Sequence, residues 1–288
     1  MARALVAYFS ITGTTATVAK SIARGLTRAG FSVEMAEISP GPSGPLPRVG
    51  AGDFDLLAVG TPAHYYRPPS LVREWVAALP PMDGLPVLAF VLYALDLGAS
   101  GNRLRKLLAR RGCAEAGYLP CRGFGCYLPY VRRGYRFSPD HPTGQELAAA
   151  EEWALAASTR VLSPAALDGR THWENAVVRA ALSPWLISHF YAARFSSDPR
   201  RCERCGACAH TCPMDNISRS GDGEPVWGRS CLLCLECQLR CPNGAIRSPA
   251  DWRVFAPFVS YDVRRGRRDP RAGFTRVRLE RGKIVRLD

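Results

Sequence analysis

The sequence predicts an α/β fold: a doubly wound, five-stranded parallel sheet over residues 1–165, followed by a small cysteine-rich module. Three observations carry this reading. Short apolar runs of strand length alternate with amphipathic stretches of helix length. Polar loops follow those runs, where open α/β sheets bind ligands. Eight of the eleven cysteines then fall between Cys202 and Cys241 at regular spacing.

Taken in order, Ala4–Phe9 is an apolar run of strand length. The polar loop Ser10-Ile11-Thr12-Gly13-Thr14-Thr15 leads into a helix marked by Val18, Ile22 and Leu26, with Gly30 as its stop. Phe31, Val33 and Met35 alternate as a second strand, and a Pro/Gly-rich loop fills 40–50. Asp55–Gly60 is a fully apolar third strand, Ser70–Leu79 a helix with Leu71, Trp75 and Ala78 on one face, and Pro86–Leu92 a fourth strand. Asn102–Arg111 reads as a basic helix with Leu104, Leu107 and Leu108 inward. Tyr118–Phe124 is the fifth strand, and the alanine-rich helix Glu146–Leu162 closes the unit. Residues 166–195 read as a helical connector, 196–250 as the cysteine module and 251–288 as a basic tail. The tail ends in a hairpin, Thr275–Leu279 and Ile284–Leu287 around Glu280-Arg281-Gly282-Lys283.

A chain of 288 residues that is 47% hydrophobic and 22% charged, without low-complexity runs, supports packed cores and excludes extensive disorder. No stretch reaches the roughly 18 apolar residues of a membrane span. The N-terminus lacks the pattern of a secretory signal, so a cytoplasmic protein without a transmembrane segment is expected. The net charge of +13 is uneven, with eleven Arg or Lys against five acids in 251–288 but seven against six in 196–250. Acidic partner proteins are therefore expected. The run Arg264-Arg265-Gly266-Arg267-Arg268 reads as a solvated loop, and it lacks the interleaved aromatics of a nucleic-acid surface, so no nucleic-acid partner is expected.

Cys202, Cys205, Cys208 and Cys212 precede Pro213, and Cys231, Cys234, Cys237 and Cys241 precede Pro242. Both runs read C-x2-C-x2-C-x3-C-P. The second repeats the first at an offset of 29, with Ile217 and Ile246 also in register. Triplets followed by C-P are the spacing of [4Fe–4S] cubes, two in this chain. Structural zinc uses paired C-x2-C knuckles instead. Without an export signal the cysteines do not read as a disulfide framework. Gly206 follows the second cysteine of the first run, and Leu235 takes that place in the second. Cys113, Cys121 and Cys126 stand outside the motif and read as buried structural thiols, a redox pair Cys121/Cys126 being the sharper alternative.

The loop Ser10–Thr15, between strand and helix, offers backbone N–H groups and hydroxyls to an anion. It has neither the Gly-Lys-Ser/Thr ending of a nucleotide P-loop nor a three-glycine dinucleotide fingerprint. The third strand is followed by Thr61-Pro62-Ala63-His64-Tyr65-Tyr66-Arg67-Pro68-Pro69. The fourth is followed by Tyr93-Ala94-Leu95-Asp96-Leu97-Gly98-Ala99-Ser100-Gly101.

The order of these motifs resembles the fused flavodoxin–ferredoxin proteins of anaerobes over residues 1–250, and the cysteine module resembles bacterial two-cluster ferredoxins. The resemblance implies a flavodoxin-like domain and a 2[4Fe–4S] ferredoxin domain. It implies FMN with its phosphate on Ser10, Thr12, Gly13, Thr14 and Thr15. The flavin ring would lie between Pro62, Ala63, His64, Tyr65 and Tyr66 on one side and Tyr93, Ala94, Gly98 and Gly101 on the other. It also implies exchange of the fourth cysteine. One cluster would use Cys202, Cys205, Cys208 and Cys241, the other Cys231, Cys234, Cys237 and Cys212. The implied function is electron transfer between one- and two-electron partners, with no catalytic residue of its own. The competing readings are a flavin-dependent reductase of a small substrate such as a quinone, and a ferredoxin carrying a degenerate interaction domain. Asp198-Pro199 reads as a hinge ahead of the cysteines.

Overall fold

A computed structural model describes residues 1–40, 46–159 and 173–288. The end of the predicted helix Glu146–Leu162, the start of the predicted connector 166–195 and the middle of the 40–50 loop lie outside the described residues. In chain order the first elements are β1 (Arg3–Tyr8), α1 (Thr14–Arg28), β2 (Ser32–Glu37), β3 (Leu56–Pro62), α2 (Ser70–Ala78), β4 (Pro86–Tyr93), α3 (Ser100–Arg110) and β5 (Ala114–Arg122). Then come α4 (Leu128–Val131), β6 (Tyr135–Phe137), α5 (Gly144–Thr159), α6 (Trp173–Ala181), α7 (Pro184–Leu186), β7 (Ser196–Ser197), α8 (Ala207–His210), β8 (Ile217–Arg219) and β9 (Pro225–Trp227). The chain closes with α9 (Glu236–Leu239), β10 (Ile246–Arg247), α10 (Ala256–Arg268), β11 (Phe274–Glu280) and β12 (Lys283–Arg286). These elements form two compact units, one built from Met1–Ser39, Ser43–Gly123 and Asp140–Ala180, the other mainly from Phe124–Pro139 and Ala181–Asp288.

The first unit is a parallel sheet in the order β2-β1-β3-β4-β5. This is the doubly wound, flavodoxin-like order, whose switch point lies between β1 and β3. Central parallel strands are covered on both faces and read as continuous apolar runs. Accordingly β3 is buried from Leu56 to Thr61 and β4 from Val87 to Leu92. One face packs Val6, Ala58, Leu88 and Phe90 against Val18, Ile22 and Leu26 of α1 and Ala150 and Ala154 of α5. The alternate residues Leu5, Leu57, Val59, Ala89 and Val91 are buried on the other, where α3 lies along β4 and β5 and meets α2. Gly25 lets α1 and α5 touch: a Cβ there would stand 2.2 Å from the Glu151 carbonyl oxygen. Arg24 clips the same pair, its Nε 2.8 Å from Glu151 Oε2.

Three sequence expectations in this unit are corrected. The fifth strand runs over Ala114–Arg122, not Tyr118–Phe124, because parallel pairing with β4 recruits Ala114 and Glu115 across a register shift at Val87/Leu88. On α3 the inward leucines are Leu104 and Leu108, while Leu107 is only partly covered. On α2, Val72 and Val76 join Leu71 and Trp75 as buried residues, and Ala78 is exposed.

The second unit gathers its parts from distant stretches of chain. β6 pairs antiparallel with β11, and β11 with β12, giving a three-stranded sheet β12-β11-β6. Phe137 on the edge strand β6 is buried, with Tyr130 edge-on at 5.5 Å. Tyr130 Oη donates to Asp262 Oδ2 at 2.9 Å, Arg133 Nη2 to the Ala256 carbonyl at 3.0 Å, and Arg132 pairs with Asp251. Residues 124–139 are thereby tied to the tail. The arginine run expected as a solvated loop is the last part of α10, held by buried Val259, Val263 and Gly266 at i, i+4 and i+7. Its cations lie at the helix carboxyl end, where the macrodipole favours them. Asp198-Pro199 is no hinge. Asp198 N–H donates to the Ala245 carbonyl, and its own carbonyl accepts from Cys202 N–H, both at 2.9 Å.

Candidate functional site

The cysteine runs are the clearest site in the second unit. Their backbones repeat as their sequences do. Arg204 and Leu233 have φ of +54° and +58°, Gly206 and Leu235 +77° and +66°, Asp215 and Gly244 +47° and +57°. Each pair is 29 residues apart. The sulfur contacts repeat too: Asn216 N–H donates to Cys212 Sγ at 3.4 Å and Ala245 N–H to Cys241 Sγ at 3.2 Å. Left-handed residues turn successive N–H groups toward one side of a coil, the arrangement that hydrogen-bonds cluster sulfur.

Leu235 stands where the first run has glycine. A left-handed leucine costs about 1–2 kcal/mol. Burying its side chain, which is 1% exposed, returns about 1.5–3 kcal/mol. Burial wins, and the turn survives without glycine.

A shallow cleft open to solvent is lined by Cys202, Cys205 and Cys208 of the first run and by Cys241 of the second. The other four lie near one another, and Cys208 of the first run is also a neighbour of Cys237. Burial pushes the Cys231 thiol up to about 11, and the neighbouring Cys212 adds to the shift. Burial also pushes Cys237 up to about 12, with Cys231 and Cys212 again among its neighbours, and it holds Cys234 well above the ordinary thiol range. Thiols so enclosed stay neutral unless a cation takes the proton's place, which is what iron does. The cysteines lining the cleft, three of one run and one of the other, fit the ligation of an iron–sulfur cluster. Among the described residues no three His, Cys, Asp or Glu side chains converge as on a single metal ion.

The remaining cysteines carry no activated thiol. Burial raises Cys113 and Cys126 to about 11 and Cys121 to about 12, opposite to the shift a reactive thiol needs. His210 is exposed at the end of α8.

In the first unit the three predicted loops leave the carboxyl ends of β1, β3 and β4. Gly13, at φ +84°, precedes α1 with no side-chain cap and no acid in the first turn, so the helix start is open to an anion. Thr12 and Thr14 hydroxyls lie 3.0 Å apart, and Ser10 Oγ accepts from Ala16 N–H at 3.4 Å. Thr14 and Thr15 are buried in the first turn. Pro62 ends β3, and Ala63 N–H donates to the Leu92 carbonyl at 2.7 Å. His64 and Arg67 bridge a tight turn whose central residues, Tyr65 and Tyr66, have φ of +49° and +61°. That is a type I′ geometry, usually given to Asn-Gly, and each bulky residue in it costs about 1–2 kcal/mol. Strain of this kind collects at functional loops.

The second and third loops meet. Gly98, at φ +57°, lies so close to Tyr66 that a Cβ would stand 2.5 Å from the tyrosine Cβ. Ala99 N–H donates to the Tyr66 carbonyl at 3.3 Å. Tyr93 and Ala94 are fixed by a residue the sequence did not flag: Arg122 lies 5.1 Å over the Tyr93 ring and donates to the Ala94 carbonyl at 3.0 Å. Gly101 is buried in the first turn of α3 and is not part of the loop.

No helix of the described residues is long and apolar enough to cross a membrane. Residues 201–246 match the family described as a 4Fe-4S dicluster domain. No curated protein matches the chain. Similar solved structures include a flavodoxin from the domain Archaea, at 16% identity over 55% of this chain and 96% of that one, with a TM-score of 0.41. Megasphaera elsdenii flavodoxin matches at 19% identity over 53% and 98%, with a TM-score of 0.39. The rubredoxin oxygen:oxidoreductase of Desulfovibrio gigas matches at 15% over 63% and 37%, with a TM-score of 0.38. Likenesses this distant add nothing to the strand order, which is itself flavodoxin-like. The chain joins an α/β unit of flavodoxin-like strand order to a segment that matches a 4Fe-4S dicluster domain.

Proposed function

We propose that this protein transfers electrons through two [4Fe–4S] clusters and one FMN. The observation that carries the reading is the joint lining of one cleft by Cys202, Cys205, Cys208 and Cys241, the crossed set of a two-cluster ferredoxin. Cys231, Cys234, Cys237 and Cys212 would hold the second cluster. When bound, the clusters exchange single electrons and the flavin one or two.

The chain's own residues bind, orient and shield. Asn216 and Ala245 N–H groups donate to ligand sulfur and hold Cys212 and Cys241 in place. Leu232, Leu233, Leu235 and Leu239 exclude water around the second run. In the α/β unit, Ser10, Thr12 and the uncapped start of α1 would take the FMN phosphate. The strained Tyr65-Tyr66 turn and the Gly98 loop would flank the ring, with Arg122 fixing Tyr93.

The test is flavin and iron content after purification without oxygen. About one FMN and about eight irons per chain are expected. Eight irons without flavin would reduce the α/β unit to a scaffold, and zinc in place of iron would refute the cluster reading.

A further inference from the structure

Six aromatic side chains are exposed among the described residues, and five of them, Trp185, Phe190, Trp252, Phe258 and Tyr261, lie in two stretches of the second unit. The two stretches touch. Phe190 is edge-on to Trp252 with centroids 6.0 Å apart, and Trp252 stacks on Phe255 at 6.3 Å. Tyr191, itself buried, meets Trp252 and Phe255 at 6.1 and 6.2 Å. Ile187 and Tyr191 root the first stretch in the unit, which leaves Phe190 outside, together with Trp185, 65% exposed and stacked on His189. In the second stretch Val254 is 64% and Phe258 51% exposed. On α10, Val259, Val263 and Gly266 are buried, while Phe258, Tyr261, Arg264 and Arg268 stand exposed on the other side.

Cations flank these side chains. Arg194 lies 3.5 Å over the Phe190 ring, and exposed Arg133 donates to the Ala256 carbonyl at 3.0 Å. Residues 181–194 and 251–269 hold six arginines and three acids, and each acid is engaged. Asp251 takes Arg132 and Gln238, Asp262 the Tyr130 hydroxyl, and Asp269 the Arg271 N–H. Contiguous apolar surface in water marks a contact. Its cover must be apolar where the aromatic tips enter and negative at the level of the guanidinium groups. An anionic bilayer supplies the two as adjacent layers, since aromatic rings seat at the headgroup boundary and arginine charge stays among lipid phosphates. An acidic protein would match the charges and leave the tips in need of a groove. We propose that the surface of Trp185, Phe190, Trp252, Val254 and Phe258, with its flanking arginines, seats this protein on an anionic lipid bilayer. The attachment is peripheral: no helix of the described residues is long and apolar enough to cross a membrane. It does not depend on the cofactor reading.

The test is flotation of the anaerobic holoprotein, flavin and iron already counted, with vesicles of phosphatidylcholine or of an equal mixture with phosphatidylserine. Flotation with the anionic vesicles, falling as salt is added and weak with the neutral ones, is expected. Trp185→Ser and Phe258→Ser should each weaken it about tenfold, and Arg253→Gln and Arg264→Gln each about fivefold. Met35→Ser and Lys106→Gln, exposed in the α/β unit, should leave it unchanged. Should a serine variant fail to fold, quenching of wild-type tryptophan emission by brominated lipid in the anionic vesicles takes its place. No flotation, flotation unmoved by both serine variants, or no quenching would each overturn the proposal. Binding to soluble polyglutamate without flotation would overturn it in favour of an acidic protein, and a dimer lost in Trp185→Ser, again without flotation, in favour of a second copy.

Discussion

The two cysteine runs share spacing, backbone conformation and sulfur contacts, yet their surroundings differ. In the first, Glu203, Arg204 and Cys205 are exposed. In the second, every residue from Leu235 to Leu239 is buried. Gln238 shows how the second is closed. It is 2% exposed, donates to the Ile246 carbonyl at 3.0 Å and to Asp251 Oδ2 at 2.8 Å, and accepts from Ser248 Oγ at 2.7 Å. Its counterpart 29 residues earlier is Ala209, which can do none of this. The tail helps: Gly282, in the β11–β12 turn, packs on the Arg240 carbonyl so closely that a Cβ would stand 2.4 Å away. Spacing sets where a cube is held, and the rest of the unit sets how far it is shielded from water.

The largest expected effect comes from removing that cover. Deleting residues 272–288 takes away β11 and β12, including buried Val277. Iron per chain after brief exposure to air should fall to about half while flavin stays bound. Full retention of iron would mean that the hairpin shields nothing.

Serine substitution should separate the runs next. Cys205→Ser lies on the exposed run and should cost one cluster, leaving the signal of the other by electron paramagnetic resonance. Cys234→Ser lies on the buried run and should also lower Tm clearly, since an unfilled site there leaves enclosed thiols and apolar walls. Equal losses of Tm would contradict unequal burial.

Gln238→Ala strands the Ser248 hydroxyl and one Asp251 contact, and should cost about 2–3 kcal/mol in denaturant unfolding. Smaller still is the exchange at the left-handed position. Leu235→Gly relieves strain but loses buried area, for a net loss of about 1 kcal/mol. Gly206→Leu adds strain with little burial in return, and should cost about 1–2 kcal/mol.

Much of this was legible in the sequence, for physical reasons. Parallel strands covered on both faces must be apolar throughout, so Asp55–Gly60 and Pro86–Leu92 announce themselves. Iron chemistry dictates cysteine spacing, so both runs stand out. The fifth strand was misplaced because Ala114-Glu115-Ala116-Gly117 holds no strong strand former; its partner decides it. β6 was invisible because three residues carry no period and its partner β11 lies far along the chain. The helix under the arginine run had a signal, Val259 and Val263 four apart, masked by the charges around Gly266.

The central claim, two clusters in unequal surroundings, is tested most directly by redox titration of the anaerobic protein followed by electron paramagnetic resonance. Each reduction adds negative charge, which low-dielectric surroundings penalise. Two separable one-electron steps are predicted, the lower belonging to the buried run and moving upward when residues 272–288 are deleted. A single step integrating to one cluster, or two coincident steps unmoved by the deletion, would contradict the account.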